Sequence, residues 1–437
     1  MVTTEEEARV RALLDESERA YAARDGANAA RLLFEAQKLV PDHPLVLNAA
    51  GIRALSEGHA PQACELFQRA LARDTKTAAL WVNLAVALRQ LQRDDEEADA
   101  LEHALLLDPR HLIALLQKAA LIERRGDSRS AATIYANALK TIEPGAALPE
   151  SLRPMLAAAT RAVLANADGL ERHLAQRLAS VRDAHGPTSE RFDHALGALL
   201  GKRLIYHPQP TQLHFPKLPA LEFYPDEMFP WMAALEAGAS EVRAEFERIF
   251  AEDQDRMEPY IAYPDGVPLD QWQELNRSRR WSAFFLWRDG KPVEANQARC
   301  PRTAALLATL PMHDVPRHAP TAFFSILDAH THIPAHTGVT NTRVVVHLPL
   351  VLPGNCRFRV GSETRAWRAG KAWVFDDTIE HEAWNDSALP RAILIFDIWN
   401  PFLREDERAL IRETMPAIAD YYGEPYYGAK TSQAGGL

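Results

Sequence analysis

Residues 1–200 carry a helical pattern of apolar positions, rich in Ala, Leu, Arg and Glu and poor in proline. Within this pattern, small and large apolar residues recur every 34 residues. The registers hold small residues at Gly51, Ala85 and Ala119 and at Ala70, Ala104 and Ala138, and large ones at Phe67, Leu101 and Tyr135. Small residues are needed where two helices cross closely, and large ones fill the next layer. The period therefore predicts a stack of helical hairpins.

One unit of the stack resembles the tetratricopeptide repeat (TPR). Its matching residues are Trp81, Leu84, Ala85, Leu88, Ala104 and Pro109. Three full units fit 42–144, and a degenerate unit containing Ala29, Leu33 and Ala36 precedes them. Glu97 departs from the pattern, because a small residue is usual there. With further helices expected to cap the stack over 148–202, we predict a TPR-like domain over 1–202, which is either a spacer or oligomerisation element or a concave groove for a peptide or partner protein.

A proline-rich stretch, 206–230, marks the boundary to a second domain over 203–437. Neither a helix nor a central strand tolerates its six prolines. We predict an extended arm lying on the second domain, anchored by its aromatic residues Phe215, Phe223, Tyr224 and Phe229. A helix over about 230–252 is expected to follow.

Beyond residue 280 the pattern changes to short β-branched and aromatic runs separated by turn-forming residues. The predicted strands are 281–287, 322–327, 343–350, 356–360, 372–375 and 392–399. The next long helix is expected only at about 403–420. Such spacing indicates a closed barrel or sandwich, and a jelly-roll (cupin-type) domain is a common host for a histidine metal centre.

Composition and charge narrow the classes of partner. A chain of 437 residues with 47% hydrophobic and 25% charged residues is typical of a soluble protein with two or three domains. A net charge of −10 argues against nucleic acid or an anionic membrane as the main partner. The N-terminus lacks the apolar core of a secretory signal, and no apolar run is long enough to span a bilayer. We therefore expect a cytoplasmic chain without a transmembrane segment. Three widely separated cysteines predict neither a disulfide framework nor a zinc cluster.

The stretch HTHIPAHTGVTNTR contains the first candidate metal ligand. Its His336 follows a predicted strand and His381 precedes another, so the two could meet at a barrel opening. Ferrous oxygenases usually add a carboxylate two positions after the first histidine. That position is Gly338, which on general chemistry weakens an iron interpretation. His330 and His332 are interpreted as structural residues.

Arg391 is the candidate anion contact, because it lies ten residues after His381 at the start of an apolar strand. A cation that points into a barrel needs a partner. A planar guanidinium suits a bidentate carboxylate, such as the distal carboxylate of 2-oxoglutarate, although a salt bridge at the strand end is an alternative.

Several motifs together resemble the aspartyl/asparaginyl β-hydroxylase family. They are H-T-G-x-T-N-x-R at 336–343, F-D-D-x-x-E-H-E-x-W at 375–384, RAILIFDIWNP at 391–401, WSAFFLWRDG at 281–290 and FPWMAALEAG at 229–238. The resemblance covers roughly 205–415, and TPR-type repeats also precede this domain in the family.

The resemblance implies a double-stranded β-helix dioxygenase that uses Fe(II), O2 and 2-oxoglutarate. It implies His336 and His381 as the only two protein ligands of the iron, with Gly338 leaving room for water or substrate. The implied cosubstrate residues are Ser325 and Arg391 for the distal carboxylate, His347 near the metal end, Trp281 as a lining aromatic and Arg343 as a contact for an anionic group. Asp376, Asp377, Glu380 and Glu382 are interpreted as turn, supporting or rim groups.

The substrate is the least constrained part of the prediction. Animal members that hydroxylate Asp or Asn carry an arginine where this chain has Val345, and a cysteine pair near Cys300 that this chain lacks. We expect hydroxylation of a peptide or protein side chain recruited by the TPR groove, or else of a lipid-linked or small-molecule substrate. Two rivals are a TPR adaptor with a non-catalytic cupin domain and an isomerase that holds Zn or Mn with His332, His336 and His381.

Overall fold

The computed structural model describes residues 3–143, 145–186 and 190–422. Contacts divide the chain into two compact units, the first ending at Leu196 and the second beginning at Gly197. The division lies six residues before the boundary predicted from sequence. Among the described helices, none has both the length and the apolar composition that crossing a bilayer requires.

The first unit is helical. Its helices are α1 Thr4–Ala22, α2 Gly26–Leu39, α3 Pro44–Ser56, α4 Ala60–Leu71, α5 Ala78–Gln90, α6 Asp94–Leu107, α7 Leu112–Arg124, α8 Ser128–Leu139 and α9 Arg153–His185, with α10 Glu190–Leu199 running across the division. Consecutive helices from α1 to α8 pack as four hairpins, and α9 packs on α8. The predicted TPR-like stack is confirmed.

All four hairpins turn at a residue with positive φ, and these residues are again 34 positions apart. They are Arg24, Gly58, Gln92 and Gly126, with φ of 61°, 82°, 57° and 90°. A left-handed residue is the usual way to end a helix and reverse the chain. The period therefore extends over α1 and α2, which form a regular hairpin where the sequence indicated only a degenerate unit.

Packing inside the hairpins explains the small residues of the repeat. A Cβ on Gly51 would overlap the ring of Phe67, which is fully buried between α3 and α4. Glu97, the departure from the pattern, is also fully buried, and it accepts a hydrogen bond from Arg124 at 2.5 Å. A charged pair thus stands between α6 and α7 where the repeat usually has a small side chain.

The second unit contains two β-sheets. Its strands are β1 Phe223–Tyr224, β2 Glu258–Pro259, β3 Trp281–Arg288, β4 Lys291–Pro292, β5 Ala322–Leu327, β6 Thr331–His336, β7 Arg343–Val351, β8 Cys356–Val360, β9 Glu363–Ala366, β10 Trp373–Phe375, β11 His381–Asn385 and β12 Arg391–Trp399. Its helices are α11 Met232–Ala237, α12 Ala239–Glu252, α13 Glu294–Gln297, α14 Pro301–Leu307 and α15 Glu405–Tyr422.

The larger sheet has the order β1-β10-β7-β12-β5-β3-β2, with β4 beside β3, and the smaller sheet has the order β6-β11-β8-β9. The paired strands are antiparallel, and the two sheets form the predicted jelly-roll fold. Alternate residues of β7 divide between two cores: Val344 and Val346 pack with α12, whereas Val345 packs between the sheets. The inner face of the larger sheet therefore carries the odd-numbered residues of β7 from Arg343 to His347.

Most secondary-structure predictions for this unit agree with the structure. The six predicted strands correspond to β3, β5, β7, β8, β10 and β12, and the last helix corresponds to α15. The helix expected over 230–252 is two helices, divided at Gly238, where a Cβ would overlap Leu306. Three strands of the smaller sheet, β6, β9 and β11, were not predicted.

Candidate active site

His336 and His381 face each other at the ends of two neighbouring strands. They are direct partners in the antiparallel pair β6–β11, and their ring centroids lie 4.1 Å apart. Nδ1 of His336 lies 2.7 Å from the Pro334 carbonyl oxygen, and Nδ1 of His381 lies 3.1 Å from that of Ile379. Because a carbonyl only accepts, Nδ1 carries the proton in both rings and each Nε2 keeps a free lone pair. This is the tautomer in which a histidine binds a metal through Nε2.

Burial keeps both imidazoles neutral. It lowers the pKa of His336 to about 4. The pKa of His381 also lies well below its usual range, first because the ring is buried and second because His336 lies beside it. A metal binds only the neutral ring, so both histidines are in the ligand form at neutral pH.

The side-chain position of Gly338 is occupied by another residue. A Cβ on Gly338 would overlap the carboxylate of Asp377. The Gly338 N–H also donates to the Asp377 carbonyl oxygen at 2.6 Å. A carboxylate ligand at 338 is therefore excluded unless Asp377 moves, and the room expected beside the glycine is filled by Asp377.

Arg343 lies between two buried acids. Its Nη2 donates to Asp377 Oδ2 at 3.0 Å, and its Nη1 lies 3.7 Å from Asp397 Oδ2. Burial raises the pKa of each carboxyl to about 6, although the Arg343 charge acts in the opposite direction. The sequence suggested Arg343 as a contact for an anionic ligand, but the structure pairs it with acids of the chain itself.

Ser325 receives two hydrogen bonds on the inner face of the larger sheet. Arg391 Nη1 donates to Ser325 Oγ at 3.2 Å, and Trp281 Nε1 donates to the same oxygen at 3.1 Å. A hydroxyl offers two lone pairs and one proton. With both lone pairs engaged, the Ser325 proton is free to donate to a ligand.

Arg391 is a buried cation, 1% exposed. Among the described residues, none of the acidic side chains forms an ion pair with it, and its Nε has no hydrogen-bond partner. Burial lowers its pKa to about 10, which leaves it charged at neutral pH. Burying a lone charge is costly, so an anion bound here would stabilise the site. His347 lies nearby, and its pKa falls well below the usual range because of burial and then the charge of Arg391.

Aromatic rings connect the histidine pair with this anion end. The Trp281 ring lies 6.4 Å from His336, and Trp272 meets His336 edge-on at 5.0 Å. Phe375 contacts His381 at 5.5 Å and His347 at 4.8 Å. Six predicted residues therefore form one connected group: His336, His381, Trp281, Ser325, Arg391 and His347.

His332 points away from this group. The β6–β11 pairing shifts by a residue between His381 and Ala383, which reverses the face on which earlier residues of β6 lie. His332 consequently stacks on Trp384 at 5.0 Å and bonds Glu382 at 3.0 Å, with 46% of its side chain exposed. A three-histidine site that includes His332 does not form in this geometry.

The acids around His381 have separate local partners. Glu380 and Glu382 both accept hydrogen bonds from Arg359, and Asp376 accepts from the main chain and hydroxyl of Thr378. Of these four acids, Asp377 is the one whose carboxylate lies against Gly338, in the loop that follows His336. Nothing in the sequence pattern distinguishes Asp377 from Asp376, so its position could not be predicted.

The proline-rich arm lies against the loop that follows His336. The main-chain N–H of Thr211 donates to the carbonyl of Gly338, and that of Leu213 donates to the carbonyl of Val339. The side chain of Asn341 exchanges two hydrogen bonds with the main chain of Phe215. The arm thus fixes the histidine loop, which adds a positioning role to the packing role predicted for it.

Comparisons with known proteins match a large part of the second unit. A family model described as aspartyl/asparaginyl β-hydroxylase matches residues 236–401. The human aspartyl/asparaginyl β-hydroxylase is 34% identical over 190 residues, which are 43% of this chain and 24% of the human protein. The ornithine lipid ester-linked acyl 2-hydroxylase of Rhizobium tropici is 32% identical over 201 residues, 45% of this chain and 67% of that protein.

Among solved structures, the similarities are to parts of this chain and are distant. A thermophilic TPR protein of Thermus thermophilus is 19% identical and covers 44% of this chain and 97% of its own, with a TM-score of 0.32. Against the human and mouse β-hydroxylases, the chain spans only about a quarter of their length. The match to two thirds of the Rhizobium protein, together with the family model and the motifs, settles the relationship. The chain belongs to the aspartyl/asparaginyl β-hydroxylase family.

Proposed function

We propose that the protein is an Fe(II)- and 2-oxoglutarate-dependent dioxygenase that hydroxylates an unactivated C–H bond. The observation that carries this proposal is the combination of two neutral, facing histidines on the smaller sheet with a buried guanidinium on the inner face of the larger sheet that has no ion-pair partner among the described residues. When bound, Fe(II) and 2-oxoglutarate supply the O2 activation, in which the cosubstrate is oxidised to succinate and CO2.

The residues present fit both groups. His336 and His381 offer two free Nε2 atoms. The overlap of any 338 side chain with Asp377 prevents a third protein ligand there. An iron held by two protein ligands would keep coordination positions for a chelating cosubstrate. It would also keep a position whose access the substrate controls. Arg391 and the free proton of Ser325 would hold the distal carboxylate.

The remaining residues orient and enclose the reacting groups. The carbonyls of Pro334 and Ile379 hold the two ring orientations through Nδ1. Trp272, Trp281 and Phe375 surround the two histidines with apolar rings, which would keep water away from the reacting groups.

For the prime substrate we propose a peptide or protein side chain of the Asp or Asn type, recruited by the TPR-like unit. A stack of helical hairpins offers an extended concave surface for such a ligand. The human relative, whose name gives aspartyl and asparaginyl residues as its targets, supports the same substrate class.

A lipid-linked acyl chain is the second candidate. The relative named for acyl 2-hydroxylation of ornithine lipid aligns over 67% of its own length, against 24% for the human protein. The oxygenase unit alone therefore supports either substrate class.

The test is 2-oxoglutarate turnover by the full chain with Fe(II) and ascorbate. We expect succinate formation that is lost in His336→Ala and His381→Ala. Mass spectrometry of offered peptides and of ornithine lipid, searched for a gain of one oxygen, then separates the two substrate classes. A wild-type chain that forms no succinate under any of these conditions would favour an adaptor with a non-catalytic β domain.

A further inference from the structure

Two tryptophans next to His347 have buried indole N–H groups that find no hydrogen-bond partner among the described residues. They are Trp367 and Trp373, which are 6% and 8% exposed. An indole nitrogen can only donate, and a buried donor is rarely left unpaired in a folded protein. Two such donors on stacked rings therefore indicate an acceptor that the described part of the chain does not supply.

The two rings belong to the same cluster as the anion end of the site. The Arg391 guanidinium lies 4.9 Å from the ring centre of Trp367, which stacks on Trp373 at 5.7 Å. Trp373 is the direct cross-strand partner of His347, whose ring lies 6.1 Å from that of Trp367. Arg391 Nε and His347 Nδ1 are also buried, and neither has a hydrogen-bond partner among the described residues. Four residues of this cluster therefore each have a buried nitrogen that lacks a hydrogen-bond partner.

Three of these four groups, the Arg391 guanidinium and the two indoles, can only donate a hydrogen bond. The hydrogen-bond acceptor that Arg391 reaches within the chain is Ser325, through Nη1. A carboxylate offers two oxygens with about four lone-pair directions. Arg391, the Ser325 hydroxyl and the two indoles could all donate to one such group.

We infer that Trp367 and Trp373 donate their indole N–H groups to the distal carboxylate of 2-oxoglutarate, beside Arg391 and Ser325. This inference rests on the proposed function. The two indoles would add neutral donors to a site in which Arg391 is the cation. They would make this site specific for a planar carboxylate.

The first test measures 2-oxoglutarate binding to the full chain by calorimetry, with Mn(II) replacing iron so that no turnover occurs. Trp367→Phe and Trp373→Phe keep an aromatic ring but remove the indole N–H donor. Each should raise the Kd about ten-fold, the loss expected for one hydrogen bond to a charged acceptor. Trp384→Phe is the matched control, because Trp384 stacks on His332 outside the group, and its Kd should equal that of the wild type.

The second test needs no substitution in the titrated protein. In the wild type labelled with ¹⁵N at its 9 tryptophans, two indole N–H signals should move downfield when 2-oxoglutarate is added. The two signals are identified from their loss in the Phe variants. If either variant fails to fold, the wild-type titration still decides, because the inference is contradicted when fewer than two indole signals move.

The outcomes separate this inference from the function on which it rests. A wild type that binds no 2-oxoglutarate contradicts the proposed function. A wild type that binds it, with unchanged Kd in both Phe variants or with unmoved indole signals, contradicts the inference alone.

Discussion

The Asp377 carboxylate lies where a side chain of Gly338 would have to be. The same carboxylate accepts a hydrogen bond from Arg343 at 3.0 Å, which holds it in place. The glycine in H-T-G-x-T-N-x-R is thus explained by packing: it leaves space for a neighbouring acid, and that acid occupies the position in which a third metal ligand would begin. The glycine at 338 is therefore required by the position of the Asp377 carboxylate.

Gly338→Ala should therefore destabilise the second unit by about 1–3 kcal/mol, the usual cost of overpacking a buried site. In an Asp377→Ala background the same substitution should cost clearly less, because the overlapping carboxylate is gone. Urea unfolding of the two single variants and the double variant measures this coupling. Equal costs in both backgrounds would show that Asp377 is not what restricts position 338.

His336→Ala and His381→Ala should each abolish Mn(II) binding, because each removes a proposed ligand. His332→Ala should leave the Kd for Mn(II) within about two-fold of the wild type, because the partners of His332 are Trp384 and Glu382. His332 is the matched control because it lies on the same strand as His336 but faces outward against Trp384. Electron paramagnetic resonance of free Mn(II) provides the measurement. Loss of binding in all three variants would instead support the three-histidine site.

Arg391→Lys should raise the Kd for 2-oxoglutarate by at least about ten-fold, because an ammonium keeps the charge but not the planar fork that binds a carboxylate. Arg357→Lys, on the outer face over Trp384, is the control and should have no effect. Calorimetry with Mn(II) is again the readout. An unchanged Kd in Arg391→Lys would remove Arg391 from the cosubstrate site.

The stability of the metal-free protein should fall as the pH falls below about 6.5. His336 has a pKa of about 4 when folded and about 6.5 when unfolded, so the unfolded chain binds more protons between these values. Its contribution is therefore present above pH 6.5 and is lost at up to about 1.4 kcal/mol per pH unit below it. Asp377 and Asp397, whose pKa values are raised, act in the opposite direction over the range from about 6 down to 4.

The difference between wild type and His336→Gln isolates the histidine, because both proteins keep the two acids. In unfolding experiments with chelator at pH 5 to 7, the variant should show a slope shallower by up to about 1.4 kcal/mol per pH unit. Parallel slopes would mean that His336 titrates normally in the folded chain.

Sequence patterns identified the parts of this fold that have strong periodicity. The 34-residue period predicted the hairpins. The apolar runs predicted the strands of the larger sheet that are longer than two residues, because both faces of that sheet are buried. β6, β9 and β11 were missed because they are short and half-exposed, with polar residues such as His332 and Glu382 on the outer face. Their pattern resembles a loop until the pairing is known.

The site was predicted as a set of residues but not as an arrangement. Motif resemblance selected His336, His381 and Arg391, and the structure brings them into one connected group. It could not show that Arg343 is paired with Asp377 and Asp397, since those acids lie 34 and 54 positions away and are joined only by strand register. The reversal of His332 depends on a one-residue shift that has no signature in composition.

The buried pair Glu97–Arg124 gives a prediction for the first unit. Arg124→Ala leaves a fully buried carboxylate without its 2.5 Å partner, whereas Glu97→Ala restores the small residue usual in the repeat and leaves Arg124 with Asp94 at 3.3 Å. Removing Arg124, the more exposed partner, is the more harmful change, because the charge left behind is the buried Glu97 carboxylate. We expect Arg124→Ala to destabilise the unit by about 2 kcal/mol more than Glu97→Ala does.

Urea unfolding monitored by helical circular dichroism measures both variants, and Arg125→Ala is the control. Arg125 pairs with Asp95, whose side chain is fully exposed, so its loss should change stability by less than about 0.5 kcal/mol. The pKa of Glu97 is raised by burial, so the excess cost of Arg124→Ala should shrink as the pH falls and the lone carboxyl takes up a proton. If Arg124→Ala costs no more than Arg125→Ala at neutral pH, the buried pair does not hold α6 against α7.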